Sequence, residues 1–184
     1  MSKGMQITTK LLKDISPSTW SELKQRVKVD EKYVRVGIPA SKKEPGPEGT
    51  PLALIGLVME LGSPEKGIPE RPTLLPGVRK GKPDFMRLNR VNLIKLLRKQ
   101  MTLDAALGQL GAMAVGKVQA EVRNGDHQAL AAATIEARKR RLSPKYRAKL
   151  EAKLGHPLEL DKPLIDTGHF IQGFTYQVLR KGEK

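Results

Sequence analysis

Cysteine is absent from all 184 residues, which excludes disulfides, thiolate nucleophiles and thiolate metal sites together. A reducing compartment is allowed by this and not demanded. Aromatic residues are scarce: one Trp, three Tyr and three Phe. A core must therefore come mainly from Leu, Ile, Val, Ala and Met, which favours helices over an aromatic-rich sandwich. Long hydrophobic runs are missing as well. Nowhere do 18 uncharged apolar residues follow one another, and the opening MSKGMQITTKLLKDIS has no apolar stretch of signal-peptide length. A soluble protein with no membrane partner, made where it works, is expected.

Acidic residues are also in short supply. Lys and Arg number 34 against 19 Asp and Glu, a formal charge of +15. Such a surplus draws a protein to polyanions through counterion release and long-range steering, so nucleic acid is a candidate partner. The length suits one domain (1–184) with a real core, carrying at most a protruding element. No internal repeat is visible.

Along the chain, SPSTWSELKQRV (16–27) offers Ser18 and Thr19 as caps before Trp20, Leu23 and Val27, which predicts a short amphipathic helix. KYVRVGIP alternates through Tyr33, Val34, Arg35, Val36 and Ile38 and predicts a strand. Residues 39–50 are rich in Pro, Gly and charge and predict a mobile loop. PLALIGLVMELGSP places Leu52, Ile55, Val58 and Met59 on one helical face and stops at Gly62-Ser63-Pro64. Glu60 lies near the C-terminal end of that helix, where the dipole disfavours a carboxylate by about 0.3–1 kcal/mol, so a partner elsewhere is expected.

Pro69, Pro72 and Pro76 then fall within eight positions, a spacing expected to forbid helix and give an extended, ordered segment. Arg71 sits between two of these prolines on a stiffened backbone and is expected, like Glu60, to make polar contacts, with Glu60 itself or across an interface. Asp84 is expected to cap FMRLNRVNLIKLLRKQ, whose apolar stripe of Met86 or Leu88, Val91, Leu93 or Ile94, and Leu97 leaves Arg87, Arg90, Lys95, Arg98 and Lys99 to cover the rest. Thr102 and Asp104 restart the helical pattern. The small residues Ala105, Gly108, Gly111, Ala112 and Gly116 call for a close packing partner, because each interior Gly costs about 1 kcal/mol against Ala. Residues 84–160 thus read as a helical insertion, a hairpin or one long bent helix. Within it a Ser143-Pro144 restart separates two short helices, and Arg138, Lys139, Arg140 and Arg141 form the densest basic run. That run is either a solvated helix face or a surface facing DNA or another partner.

Chemistry-bearing motifs are few. His127, His156 and His169 stand far apart in sequence without carboxylates at helical spacing, so no metal site is expected, and no phosphate-binding glycine loop or nucleophile elbow is present. Asp166-Thr167-Gly168 matches the triplet of aspartic proteases, but such catalysis needs two aspartates sharing a proton and only one is here. The triplet instead predicts a turn in which Gly168 takes a positive φ.

Five motifs in order carry a resemblance. Val36-Gly37-Ile38, Glu60-Leu61-Gly62, Ile68-Pro69-Glu70-Arg71-Pro72, Thr134-Ile135-Glu136-Ala137-Arg138 and Pro163-Leu164-Ile165-Asp166-Thr167-Gly168 resemble the neck and tail-completion family of tailed bacteriophages, including the virion-morphogenesis proteins of Mu-like phages. Thr73 departs from that pattern, which has an aromatic residue after Arg-Pro.

The resemblance implies a structural virion protein without enzymatic activity, cofactor or metal. Its fold would be α+β: a small antiparallel sheet flanked by helices, with the helical hairpin or long bent helix inserted in the middle. It would form a ring of six or twelve copies at the head-to-tail junction. Its neighbours would be head-completion or connector proteins and tail-tube or tail-terminator proteins, with packaged DNA in the lumen and assembly in the host cytoplasm. Glu60, Ile68, Pro69, Arg71, Pro72, Asp166, Thr167 and Gly168 are the interface candidates. The alternative reading is a stand-alone basic nucleic-acid-binding protein.

Overall fold

The structure, a computed structural model, describes residues 16–18, 21–22, 24–25, 31–43, 49–154, 160–165 and 168–182. Its elements in order are β1 (Lys32–Gly37), α1 (Leu52–Leu61), a 3₁₀ turn (Pro64–Lys66), α2 (Leu74–Leu97), α3 (Leu103–Asn124), α4 (Ala132–Arg141), α5 (Pro144–Leu154), α6 (His169–Gly173) and β2 (Thr175–Arg180). The fold is α+β. Its two strands pair antiparallel, with Lys32 opposite Arg180, Val34 opposite Val178 and Gly37 opposite Thr175.

The elements gather into two compact units. One comprises Met1–Gly37, Val78–Lys117 and Thr175–Lys184, and the other Ile38–Gly77 and Val118–Phe174. The first is called here the hairpin unit and the second the clamp unit. Two of the four chain boundaries fall inside α2 and α3, and the others lie just after β1 and just before β2.

In the hairpin unit, α2 turns back into α3 through a tight reversal at Lys99, whose φ is 57°. The Lys99 N–H donates to Leu96 O at 3.0 Å and the Gln100 N–H to Lys95 O at 2.8 Å, the paired bonds of a Schellman cap with lysine where glycine is usual. Thr102 Oγ1 then accepts the Ala105 N–H at 3.2 Å and starts α3. The hairpin is held across its length by Asn92 Nδ2 donating to Ala106 O at 3.3 Å and by the ion pair of Asp84 with Lys117. A two-stranded sheet is marginal alone in water; here Tyr176 lays its ring on Gly108 and Gly111, and a Cβ at Gly111 would fall inside that ring. The small-residue stretch of α3 thus admits an aromatic ring.

In the clamp unit, α1 packs on α6. Gly56 and Gly173 let the helices close around Ile38, Leu52 and Phe170, while Phe170 and Phe174 meet edge to face at 5.2 Å. Leu52, Leu164, Ile171 and Val122 complete the buried set and Val118 is wholly inaccessible.

Two sequence expectations need correction. The Pro69–Pro76 stretch does not forbid helix beyond Thr73, because α2 begins at Leu74 and contains both Pro76 and Pro83. Pro76 lies in the first turn, where N–H groups have no intrahelical partner to lose, so only Pro83 removes a ladder bond. Asp84, expected to cap this helix, lies inside it and reaches Lys117 on α3. Of the helix expected over 16–27, residues 17–18, 21–22 and 24–25 are helical, while Trp20, Leu23 and Val27 lie outside the described residues. So do residues 44–48 of the 39–50 loop, on whose near side Lys42 O accepts the Leu52 N–H at 2.9 Å.

Candidate functional site

Three charged side chains in the clamp unit are turned onto backbone. Glu60, at the end of α1, sets its carboxylate on the start of α2. Oε2 accepts the N–H groups of Thr73 at 2.8 Å and Leu74 at 3.1 Å, and Oε1 that of Leu75 at 3.2 Å. A carboxylate at the unfavourable end of its own helix thereby occupies the favourable end of the next. Thr73, only 2% exposed, is the N-cap residue, its carbonyl accepting the Gly77 N–H at 3.0 Å.

Arg71, 5% exposed, donates from Nε to Gln128 O at 2.9 Å and from Nη2 to Ala129 O at 3.2 Å. It thereby fastens the segment leading into α4. Its own N–H donates to Met59 O at 2.6 Å, so the Ile68–Pro72 segment runs back beside the end of α1. The turn between them needs glycine at 62, where φ is 70° and a Cβ would press on Glu70 N and Ile68 O. Ile68 exchanges backbone bonds with Ser63 at 2.8 and 3.0 Å, and Ile68, Pro69 and Pro72 are half-buried.

Arg138 is the third, at 6% exposure. Its guanidinium donates to four carbonyls: Lys162 at 2.7 Å, Leu160 and Ile165 at 3.0 Å, and Pro163 at 3.2 Å. It therefore leaves the basic face that the sequence run suggested. Of the rest of that run, Lys139 pairs with Glu136 at 2.8 Å and holds the Glu136 carboxyl below the usual carboxylate range, while Arg140 and Arg141 are exposed. The inward turn of Arg138 has a signal in the sequence, for it shares a helical face with Ile135 and Leu142, three before and four after it.

Gly168 has φ 80°, as the turn reading requires; Asp166 and Thr167 lie outside the described residues. His127 Nε2 is 2.9 Å from Glu121 O. Among the described residues no three His, Asp or Glu gather to hold a metal ion, and no helix is long and apolar enough to cross a membrane.

Two outward surfaces stand apart from this framework. On α1, Leu54, Leu57 and Leu61 are 51%, 56% and 66% exposed, an apolar stripe opposite the face that packs on α6. Sequence reasoning selected only the inner face, although a helix apolar all round signals a second covering surface. On α2, the outward side of the hairpin unit is basic.

The chain matches no family model, no curated protein and no solved structure.

Proposed function

We propose that the chain is a structural protein of the head-to-tail junction of a tailed phage, forming a ring between head-completion and tail proteins without performing catalysis. The observation that carries the reading is convergence of the motifs. Glu60 opens one motif and caps the helix that follows Ile68–Pro72, and Arg71 anchors the approach to the helix bearing Thr134–Arg138. Arg138 in turn binds the carbonyls of Pro163 and Ile165 in the last motif. Glu60, Arg71 and Arg138, one from each of three motifs that carry the family resemblance, thus brace the clamp unit, as expected of a fold signature.

Ring formation is supported by the Leu54, Leu57 and Leu61 stripe. Contiguous exposed apolar surface marks interaction sites, and head-to-tail contacts close into rings when the rotation permits. Native mass spectrometry of the purified chain, alone and mixed with phage heads and tails, tests this. The expected result is a closed assembly of six or twelve copies that Leu57→Glu dissolves while leaving a folded subunit. A chain that stays monomeric under every condition and joins no particle overturns it. The concentration of positive charge in the hairpin unit favours the second reading, a stand-alone nucleic-acid-binding protein, which that monomeric outcome would select if the monomer bound nucleic acid.

A further inference from the structure

The surplus charge is not shared between the units. The stretches of the hairpin unit hold 20 Lys and Arg against 7 Asp and Glu, a net +13; those of the clamp unit hold 14 against 12, a net +2. Within the hairpin unit the charge concentrates on α2 and the turn after it. Arg79, Lys82, Arg87, Arg90, Lys95 and Arg98 are all exposed. The one acid of that helix, Asp84, is held by Lys117 and Arg87.

The phase of the helix shows how the charge is presented. Gly81, Leu88 and Asn92 turn inward. At 3.6 residues per turn, Arg79, Arg87, Arg90 and Arg98 fall within about 100° on the opposite side, along about 28 Å of helix. Duplex DNA carries a charge about every 1.7 Å of its axis, so this length faces many phosphates, and the planar fork of arginine matches phosphate oxygens.

The face suits a duplex backbone better than the alternatives. A protein interface places apolar groups at its centre and charge at its rim, whereas here charge predominates across the face: four arginines flank Pro83 and the half-buried Ile94, and the exposed Met86 and Val91 lie at the margins. Binders of single strands stack bases on aromatic rings, and the one ring on this helix, Phe85, is turned against Gly81. The denser run at 138–141 makes a weaker surface, since Arg138 is buried and Lys139 paired.

We propose that the outward face of α2, centred on Arg79, Arg87, Arg90 and Arg98, is a sequence-independent docking surface for the phosphate backbone of duplex DNA. The assignment does not depend on ring formation and holds for a ring or a lone subunit.

The test is fluorescence anisotropy of the full chain on a mixed-sequence DNA duplex between 50 and 200 mM salt. Changing all four arginines to Gln should make the slope of log affinity against log salt shallower by about 3 and weaken binding at 50 mM at least about 100-fold. The same four changed to Lys should keep the slope. A control carrying Lys139→Gln, Arg140→Gln, Lys145→Gln and Lys149→Gln loses the same formal charge from exposed positions of the clamp unit. It should keep the slope within about 1. Circular dichroism confirms folding, which exposed substitutions leave intact. Equal losses in the two Gln sets, loss of the slope in the Lys set, or equally tight binding to polyglutamate of matched charge would each overturn the assignment, the last in favour of an acidic protein partner.

Discussion

In the clamp unit the decisive charges point inward, and in the hairpin unit they point outward. Arg138 and Arg71 use guanidinium groups to replace water for six backbone carbonyls, whereas Arg79, Arg90 and Arg98 stand in solvent. The same residue type thus does two jobs. Buried, arginine fixes the path of irregular chain that no ladder of hydrogen bonds could hold. Exposed, it adds little to stability and much to the external field. A net charge summed over the whole chain conceals this division.

The sharpest way to break the comparison is Arg138→Ala. Losing it strands four carbonyls, and the expected cost is about 3–5 kcal/mol, whereas Arg140→Ala, two residues on and exposed, should stay within about 0.5 kcal/mol. Urea unfolding midpoints measure both, and equal shifts would erase the distinction between inward and outward charge. Next in size is Glu60→Ala, which uncaps α2 and should cost about 0.5–2 kcal/mol. Hydrogen exchange should report it as faster amides at Thr73, Leu74 and Leu75, and unchanged exchange there would show that the cap carries no load.

The smallest effect belongs to the hairpin unit. Lys117 beside Asp84, by hydrogen bond and by charge, holds the Asp84 carboxyl below the usual carboxylate range. A depressed folded value means that the contribution is fully present above the unfolded carboxylate's pKa and is lost as pH falls through the folded one. Acid titration of stability should therefore show wild type and Asp84→Asn converging below the usual carboxylate range and separating slightly above it. A gap that persists at the acid end would assign the effect to packing.

Local patterns made the strand at 33–38, the helix at 52–61 and the Ser-Pro break before α5 legible in the sequence, since each rests on periodicity or on a cap within a few residues; between them a hairpin and one long bent helix both stayed open. The start of α2 was not legible. Its cap comes from Glu60, 14 positions before Leu74, and no short-range signature encodes a contact at that distance. The turn into α3 carries lysine in the left-handed position and so lacked the glycine that marks such ends. For Glu60 and Arg71 the need for a partner was readable from the helix dipole and the flanking prolines, but that each would find backbone was not, because it depends on which loops fold beside them.

The pairing of β1 with β2 joins residues separated by most of the chain. Closing so long a loop costs about 4 kcal/mol of chain entropy before any bond forms, so this sheet is expected among the late steps of folding. At synthesis rates of about 5–20 residues per second, β1 leaves the ribosome roughly 7–30 s before its partner exists. Over that interval a β-branched strand waits with both edges open, and the hairpin of α2 and α3 is made while it waits. The timetable of translation thus leaves the sheet to be closed after the helices, as a latch on structure already formed.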